Sequence, residues 1–330
     1  MNKLPFEEIK RTILIKKEAK TSDKYGSSPE NRTIQELFDK GVICLNKPSG
    51  PTSHQTVDYL KRILNTKKAG HGGTLDPGVS GVLPIALNDA TRILQILLKG
   101  GKEYVALMHL HKDIPEKEIK VSVEKTVGKI NQLPPVRSAV KRQLRQREIY
   151  YLEILEIKDQ DVLFKVGCEG GTYIRKLIVD WGKILKTNAH MVELVRTKAG
   201  PFNENEWYSL QDIQDAYTEF KENKNDSLLK KIIKPVEFTL SFLPKIWVFD
   251  SAIDSLCHGA NLNVPGISKL ESDIKENDLI AVLSLKNELI CLGKAKMTSE
   301  DILKKSKGLV IETNKVFMKI DTYKKDDSLE

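Results

Sequence analysis

One stretch constrains this chain more than any other: Gly70-His71-Gly72-Gly73-Thr74-Leu75-Asp76-Pro77-Gly78-Val79-Ser80-Gly81-Val82-Leu83-Pro84-Ile85-Ala86. Its glycines admit positive φ and close backbone approach, while Pro77 fixes its own φ and biases Asp76 away from helical geometry. The segment therefore reads as a rigid, shaped loop. It feeds an apolar run expected to be a buried strand or the start of a helix. A single carboxylate, Asp76, stands at the turn, which is how a carboxylate is presented at the edge of a cleft. Turn chemistry alone gives an ordinary Asp-Pro turn, so the meaning of Asp76 depends on the rest of the chain.

At 330 residues the chain exceeds most single domains, and two are expected. With 40% hydrophobic and 30% charged residues it matches neither a disordered tract nor a membrane protein, and no run is long enough to span a bilayer. The first twenty residues alternate charge with apolar side chains and lack the apolar core and cleavage site of a secretory leader, so a cytoplasmic protein is expected. Cys44, Cys168, Cys257 and Cys291 are scattered, without C-x-x-C spacing or ligand-spaced histidines. They read as buried, reduced thiols, and no metal site is expected. A net charge of +8 favours a polyanionic partner, nucleic acid first.

Residues 1–30 are charged and end in a turn-rich stretch, 21–29, that reads as a linker. Residues 42–45, 103–110, 151–157 and 161–168 read as strands, and Thr52 or Ser53 caps a helix carrying Val57, Leu60, Ile63 and Leu64. Residues 90–98 carry helical periodicity. Both element types mix from residue 31 to about 240, an α+β pattern. Residues 203–231 are rich in Asn, Glu, Lys and Asp, and this shift marks the expected domain boundary. Beyond it, 245–248, 279–283, 289–293 and 315–318 read as short strands of a small β-barrel.

Four strings then carry a resemblance: Asn46-Lys47-Pro48-Ser49-Gly50-Pro51-Thr52-Ser53-His54, the Asp76 loop, Gly101-Lys102-Glu103-Tyr104-Val105, and Gly171-Thr172-Tyr173-Ile174-Arg175-Lys176-Leu177. In this order they resemble the TruB and dyskerin family of pseudouridine synthases. Cys257-His258-Gly259-Ala260-Asn261-Leu262 and Leu292-Gly293-Lys294-Ala295 resemble the PUA domain, an RNA-binding module. The resemblance implies a pseudouridine synthase catalytic fold over 31–240, with a mixed, mainly antiparallel sheet flanked by helices. It further implies a PUA β-barrel over 244–322, an N-terminal extension over 1–30 that packs on that module, and a tail over 323–330. Asn46, Gly78 and Val195 depart from the family pattern, which usually has Asp, Lys and a basic residue there.

Breaking an N-glycosidic bond to uracil, turning the base and rejoining it through carbon needs an ionised nucleophile or base, and a carboxylate suffices. The resemblance makes Asp76 that residue, acting either by covalent addition or by removing a sugar proton. It makes Arg175 its partner, and a guanidinium beside a half-buried carboxylate favours the charged form. Tyr104 is the expected stacking platform for the flipped uracil, His71 a neighbour of the extracted nucleotide, and Leu194 a pocket-lining residue. Lys47 and Lys102 are expected to shape the site or hold backbone phosphate. Arg137, Lys141, Arg142, Arg145 and Arg147 form a run without an acidic residue, which suits phosphate contact and resembles the RNA-gripping thumb loop of the dyskerin branch. Gly259 and Ala260 are the expected RNA contacts of the PUA-like module.

The implied function is RNA uridine isomerisation without any cofactor. The expected setting is an H/ACA ribonucleoprotein of archaeal type, with a guide RNA, rRNA or tRNA substrate, a small zinc-ribbon-type protein, a glycine-arginine-rich-type protein and a kink-turn-binding protein. Action alone on the tRNA T-loop is a second setting. The reading from another class is a non-catalytic RNA-binding scaffold, against which the intact Asp76, Tyr104 and Arg175 argue.

Overall fold

The computed structural model describes residues 2–134 and 142–323. In chain order its strands begin with β1 (Ile13–Ile15), β2 (Gly41–Lys47), β3 (Ala69–His71), β4 (Ser80–Leu87), β5 (Lys102–Leu110), β6 (Gly128–Gln132), β7 (Arg145–Lys158), β8 (Asp161–Cys168), β9 (Ala189–Ala199) and β10 (Phe202–Asn203). After these come β11 (Ile233–Pro235), β12 (Lys245–Val248), β13 (Leu262–Asn263), β14 (Ile267–Glu271), β15 (Leu279–Leu283), β16 (Leu289–Ala295) and β17 (Leu309–Val316). Packing divides the described residues into two units. Those up to Glu8 and from Val42 to Ile232 form the first, and Ile9–Gly41 with those from Ile233 onward form the second.

The first unit is a mixed, mainly antiparallel sheet in the order β2-β4-β9-β5-β8-β7-β6, with β3 on β4 and β10 on β9. Its apolar run after the Asp76 loop is a strand, not a helix: β4 is buried from Gly81 to Leu87, as expected of a strand covered on both faces. β5 shows period-two alternation instead, with Tyr104, Ala106, Met108 and Leu110 all buried. Against this face packs the helix Ile174–Ile184, whose Ile174, Leu177, Ile178 and Trp181 recur on one stripe and join the same core. Trp181 meets the ring of Phe164 edge-on at 5.1 Å and donates to the Ser122 hydroxyl at 2.6 Å, so its one polar atom is satisfied in the core.

Thr52 caps the helix Ser53–Ile63 through a reciprocal box with Gln55. The helical periodicity at 90–98 resolves into a 3-10 turn, Asn88–Ile93, followed by a short α-helix, Leu94–Lys99. The polar stretch 203–231 contains two helices, Leu210–Asn223 and Ser227–Ile232. Their wide solvent-facing sides account for the composition shift.

The second unit is a sheet in the order β1-β14-β12-β15-β16-β17-β13 around its own apolar core. The strand expected at 315–318 lies earlier, at Leu309–Val316. Its register is set by antiparallel pairing with β16, from Ala295↔Ile311 to Cys291↔Val316, and Gly308, at φ +127°, opens it. Two strands of mixed polarity, β13 and β14, were not expected. Residues 9–41 are woven into this unit. β1 pairs antiparallel with β14, Lys16 Nζ donates to the carbonyls of Ile302, Leu303 and Lys305, and Arg32 forks onto Glu237 with two 2.7 Å bonds. All four cysteines are free and buried, as the spacing implied.

Candidate active site

The Asp76 loop is built around two apolar anchors. Leu75 and Val79 are buried in the core of the first unit, and the turn between them, closed by Val79 N–H on the Asp76 carbonyl at 3.0 Å, throws Asp76 outward. The backbone is then fastened from below. The Ser53 hydroxyl accepts from Leu75 N–H at 2.9 Å and donates to the Leu75 carbonyl at 3.1 Å, while Gly50 N–H holds the Pro77 carbonyl at 2.8 Å. Lys47 Nζ, fully buried, donates to the carbonyls of Pro48 at 2.8 Å, Pro77 at 3.1 Å and Val79 at 2.9 Å.

Arg175 meets the carboxylate that this loop presents, with Nε 2.8 Å from Asp76 Oδ2 and both side chains about half exposed. The arginine is the second residue of its helix, and the peptide before it is gripped by a buried side-chain amide. Gln132 Oε1 accepts from Tyr173 N–H at 3.0 Å, and Gln132 Nε2 donates to the Tyr173 carbonyl at 3.2 Å.

Tyr104 and Leu194 lie in the same core on neighbouring strands, in the register Tyr104↔Arg196 and Ala106↔Leu194. Burial pushes the Tyr104 phenol up from its ordinary value, and the facing Arg196 charge opposes that shift. His71, on β3, sits edge-on to His54 at 5.0 Å between ring centres. Burial, then the neighbouring His54 and Arg196, push it down to about 4, so it is neutral at physiological pH. Its Nδ1 is buried without a hydrogen-bond partner.

Lys102 is 3% exposed and donates to the carbonyls of Leu97 at 2.8 Å and Gly100 at 2.6 Å. Burial and the Arg196 charge bring it down to about 7, and the same two causes lower Lys47. Of the two roles expected for these lysines the geometry favours shaping the site, since both ammonium groups are buried on protein carbonyls.

The sequence reading passed over two residues here, Gln132 and Arg196. The second carried a signal: in a strand, a residue two places after the inward-facing Leu194 shares its face. Arg196 is 1% exposed.

The basic run is only partly placed. Arg137 and Lys141 lie outside the described residues. Arg142 is exposed, Arg145 half-buried on β7, and Arg147 pairs with Glu169 at 3.3 Å. In the second unit, Gly259 (φ +88°) and Ala260 form an exposed turn held by Thr313, whose hydroxyl donates to the Ala260 carbonyl at 2.8 Å. A side chain on Gly78 would meet nothing within 4 Å, so that departure from the family pattern is not forced by packing. Among the described residues no three or more His, Cys, Asp or Glu are placed to hold a metal ion, and no helix is long and apolar enough to cross a membrane.

One sheet core thus presents an aspartate, an arginine paired with it and a buried tyrosine. Comparison with known proteins makes the assignment: the chain belongs to the TruB and dyskerin family. The TruB family pseudouridylate synthase N-terminal domain matches residues 61–174, the tRNA pseudouridylate synthase B C-terminal domain 175–241, the PUA domain 244–317 and the DKCLD domain 2–57. A probable tRNA pseudouridine synthase B of Pyrococcus horikoshii is 55% identical over 96% of both chains, and that of Methanopyrus kandleri 49% identical over 98% of this chain and 95% of its own. Among solved structures, a Cbf5-Nop10-Gar1 complex matches with a TM-score of 0.93 at 53% identity, covering 98% of each chain. An H/ACA RNP bound to a substrate RNA containing 2'-deoxyuridine matches at 0.92 and 50% identity, covering 98% of this chain and 99% of that one. The protein is thus an enzyme of the class that isomerises uridine to pseudouridine.

Proposed function

We propose that Asp76 is the catalytic nucleophile or base of this isomerisation, that Arg175 is its charge partner, and that Tyr104 and Leu194 receive the extracted uracil. The carrying observation is the Asp76–Arg175 contact at 2.8 Å, in a loop whose backbone is held by Lys47 and Ser53. The reaction breaks N1–C1′, turns the base and forms C5–C1′, and the C5 proton leaves. Asp76 acts at C1′ or on a sugar proton. When the target base covers the site, the half-exposed carboxylate loses water, and the adjacent guanidinium offsets that loss. Neutral His71 and the ring of Tyr104 offer apolar surfaces to a nucleotide out of its stack.

The substrate is RNA and the setting is an H/ACA guide particle in the cytoplasm. Guide RNA selects uridines of rRNA or tRNA, and the zinc-ribbon-type, glycine-arginine-rich-type and kink-turn-binding proteins complete the assembly. Similarity over nearly the whole chain to a chain of a solved Cbf5-Nop10-Gar1 complex and to one of an H/ACA RNP supports this reading. Catalysis belongs to 31–240 and RNA capture to 244–322; of the extension 1–30, residues 9–30 pack on the latter, whereas those up to Glu8 join the first unit. The exposed Arg142 and the Gly259–Ala260 turn are phosphate-facing surfaces.

Tritium release from C5-labelled uridine in RNA tests the reading, first with the chain alone on tRNA transcript and then with partner proteins and guide RNA. Asp76→Asn is expected to abolish release in both while RNA affinity stays within about threefold. Equal activity in Asp76→Asn removes the aspartate from the chemistry. Release without partners identifies a stand-alone tRNA enzyme, and no release under any condition leaves a scaffold.

A further inference from the structure

Arg196 closes the catalytic loop from both sides. Its Nε donates to the Val82 carbonyl at 2.7 Å, just after the loop, and its Nη2 to the Gly73 carbonyl at 3.0 Å, just before it. One buried guanidinium therefore bridges the two ends of the segment that carries Asp76. The backbone closes the same gap: β4 meets β9 in parallel only at Ser80↔Val195 and Gly81↔Arg196, and a Cβ on Gly81 would come within 2.3 Å of the Arg196 carbonyl oxygen. Gly81 takes φ +107°, so both the approach and the torsion call for glycine. Arg196 also faces Tyr104 across the β5–β9 ladder.

We propose that Arg196 is a positioning residue for the isomerisation: one guanidinium ties both ends of the Asp76 loop to the strand position that faces Tyr104, so that carboxylate and phenol keep a fixed mutual placement. The inference rests on the proposed role of Asp76. Lysine in its place has the charge but not the fork, and cannot hold the two carbonyls in one plane. Methionine has neither.

The test measures single-turnover tritium release under saturating RNA, RNA affinity and thermal unfolding for the parent, Arg196→Lys, Arg196→Met, Tyr104→Phe and the double variant Arg196→Lys with Tyr104→Phe, in the complete particle. The proposal expects the rate of Arg196→Met to fall at least a hundredfold with affinity within threefold, and Arg196→Lys to recover at least tenfold of that loss. In the Tyr104→Phe background, Arg196→Lys should cost less than it does in the parent, because part of its effect lies in placing the phenol relative to the carboxylate. A rate within threefold of the parent in a folded Arg196→Met overturns it, as does a loss confined to RNA affinity. If Arg196→Met does not fold, the Lys pair decides, and full multiplicativity with Tyr104→Phe overturns the fixed mutual placement. Inactivity of the parent, or full activity of Asp76→Asn alongside, strikes the reading of Asp76 instead.

Discussion

Replacing Arg175 with methionine should separate catalysis from stability. In the free protein the Arg175–Asp76 pair is 2.8 Å apart, but both side chains are about half exposed. Such pairs contribute on the order of 0–1 kcal/mol to folding, and for a chain this size that moves Tm by no more than roughly 4 °C. Once the target base covers the pair, water leaves. Two unit charges about 4 Å apart at an effective dielectric near 20 interact by about 4 kcal/mol. At about 1.4 kcal/mol per decade, the reaction should slow by roughly 10²–10³-fold. Calorimetry and single-turnover tritium release on the same preparations measure both quantities. A rate within tenfold of the parent, or a Tm loss well beyond 4 °C, would refute the argument, because it would move the value of the contact from the covered state to the free fold.

Lys47→Met takes the donor from the Pro48 and Val79 carbonyls, while Pro77 keeps the Gly50 N–H, and at about 1–3 kcal/mol for each unpaired buried group the chain should lose roughly 2–6 kcal/mol; an unchanged urea midpoint would contradict this. Lys102 should leave a slope in stability with pH. Its folded-state value near 7 lies below the ordinary lysine value of 10.5, so between those limits the unfolded chain binds the proton more, and its contribution to stability rises with pH across that window. The difference between parent and Lys102→Met unfolding free energies, followed from pH 7 to 10.5, should therefore grow in the parent's favour, and a flat difference would show that the ammonium stays charged in the fold. Lys16→Met leaves the carbonyls of Ile302, Leu303 and Lys305 without their donor. A loss of about 1–2 kcal/mol, visible as faster amide exchange over 299–304, is expected, and unaltered exchange there would count against the clamp.

The reacting residues were legible because they stand in strings whose composition is unusual. Glycines around Asp76, with a proline behind it, allow little but a shaped loop, and the apolar run that follows had to be buried. What supports them was not legible. Arginine is mostly a surface residue, and only the inward phase of β9, visible after strand pairing is known, puts Arg196 in the core. Gln132 acts across 41 residues on the backbone of Tyr173, two places before Arg175, a relation that no local pattern encodes. The last strand was misplaced because Phe317 and Met318 look more strand-like than Glu312 or Asn314. The ladder nevertheless ends at Val316, and the two apolar residues after it both donate their N–H to the Ile290 carbonyl. β14, with alternating polar residues, gave no signal of being the strand against which the chain's own start is laid.

That last pairing has a consequence in time. Thr12 bonds to Ser272, 260 residues further along, and β1 covers the edge that β14 would otherwise present. At synthesis rates of about 5–20 residues per second, the first strand waits roughly 13–50 s for its partner to be made. Residues 9–41 thus leave the ribosome before the strand that β1 pairs with exists, and that edge of the second unit can close only after β14 is made.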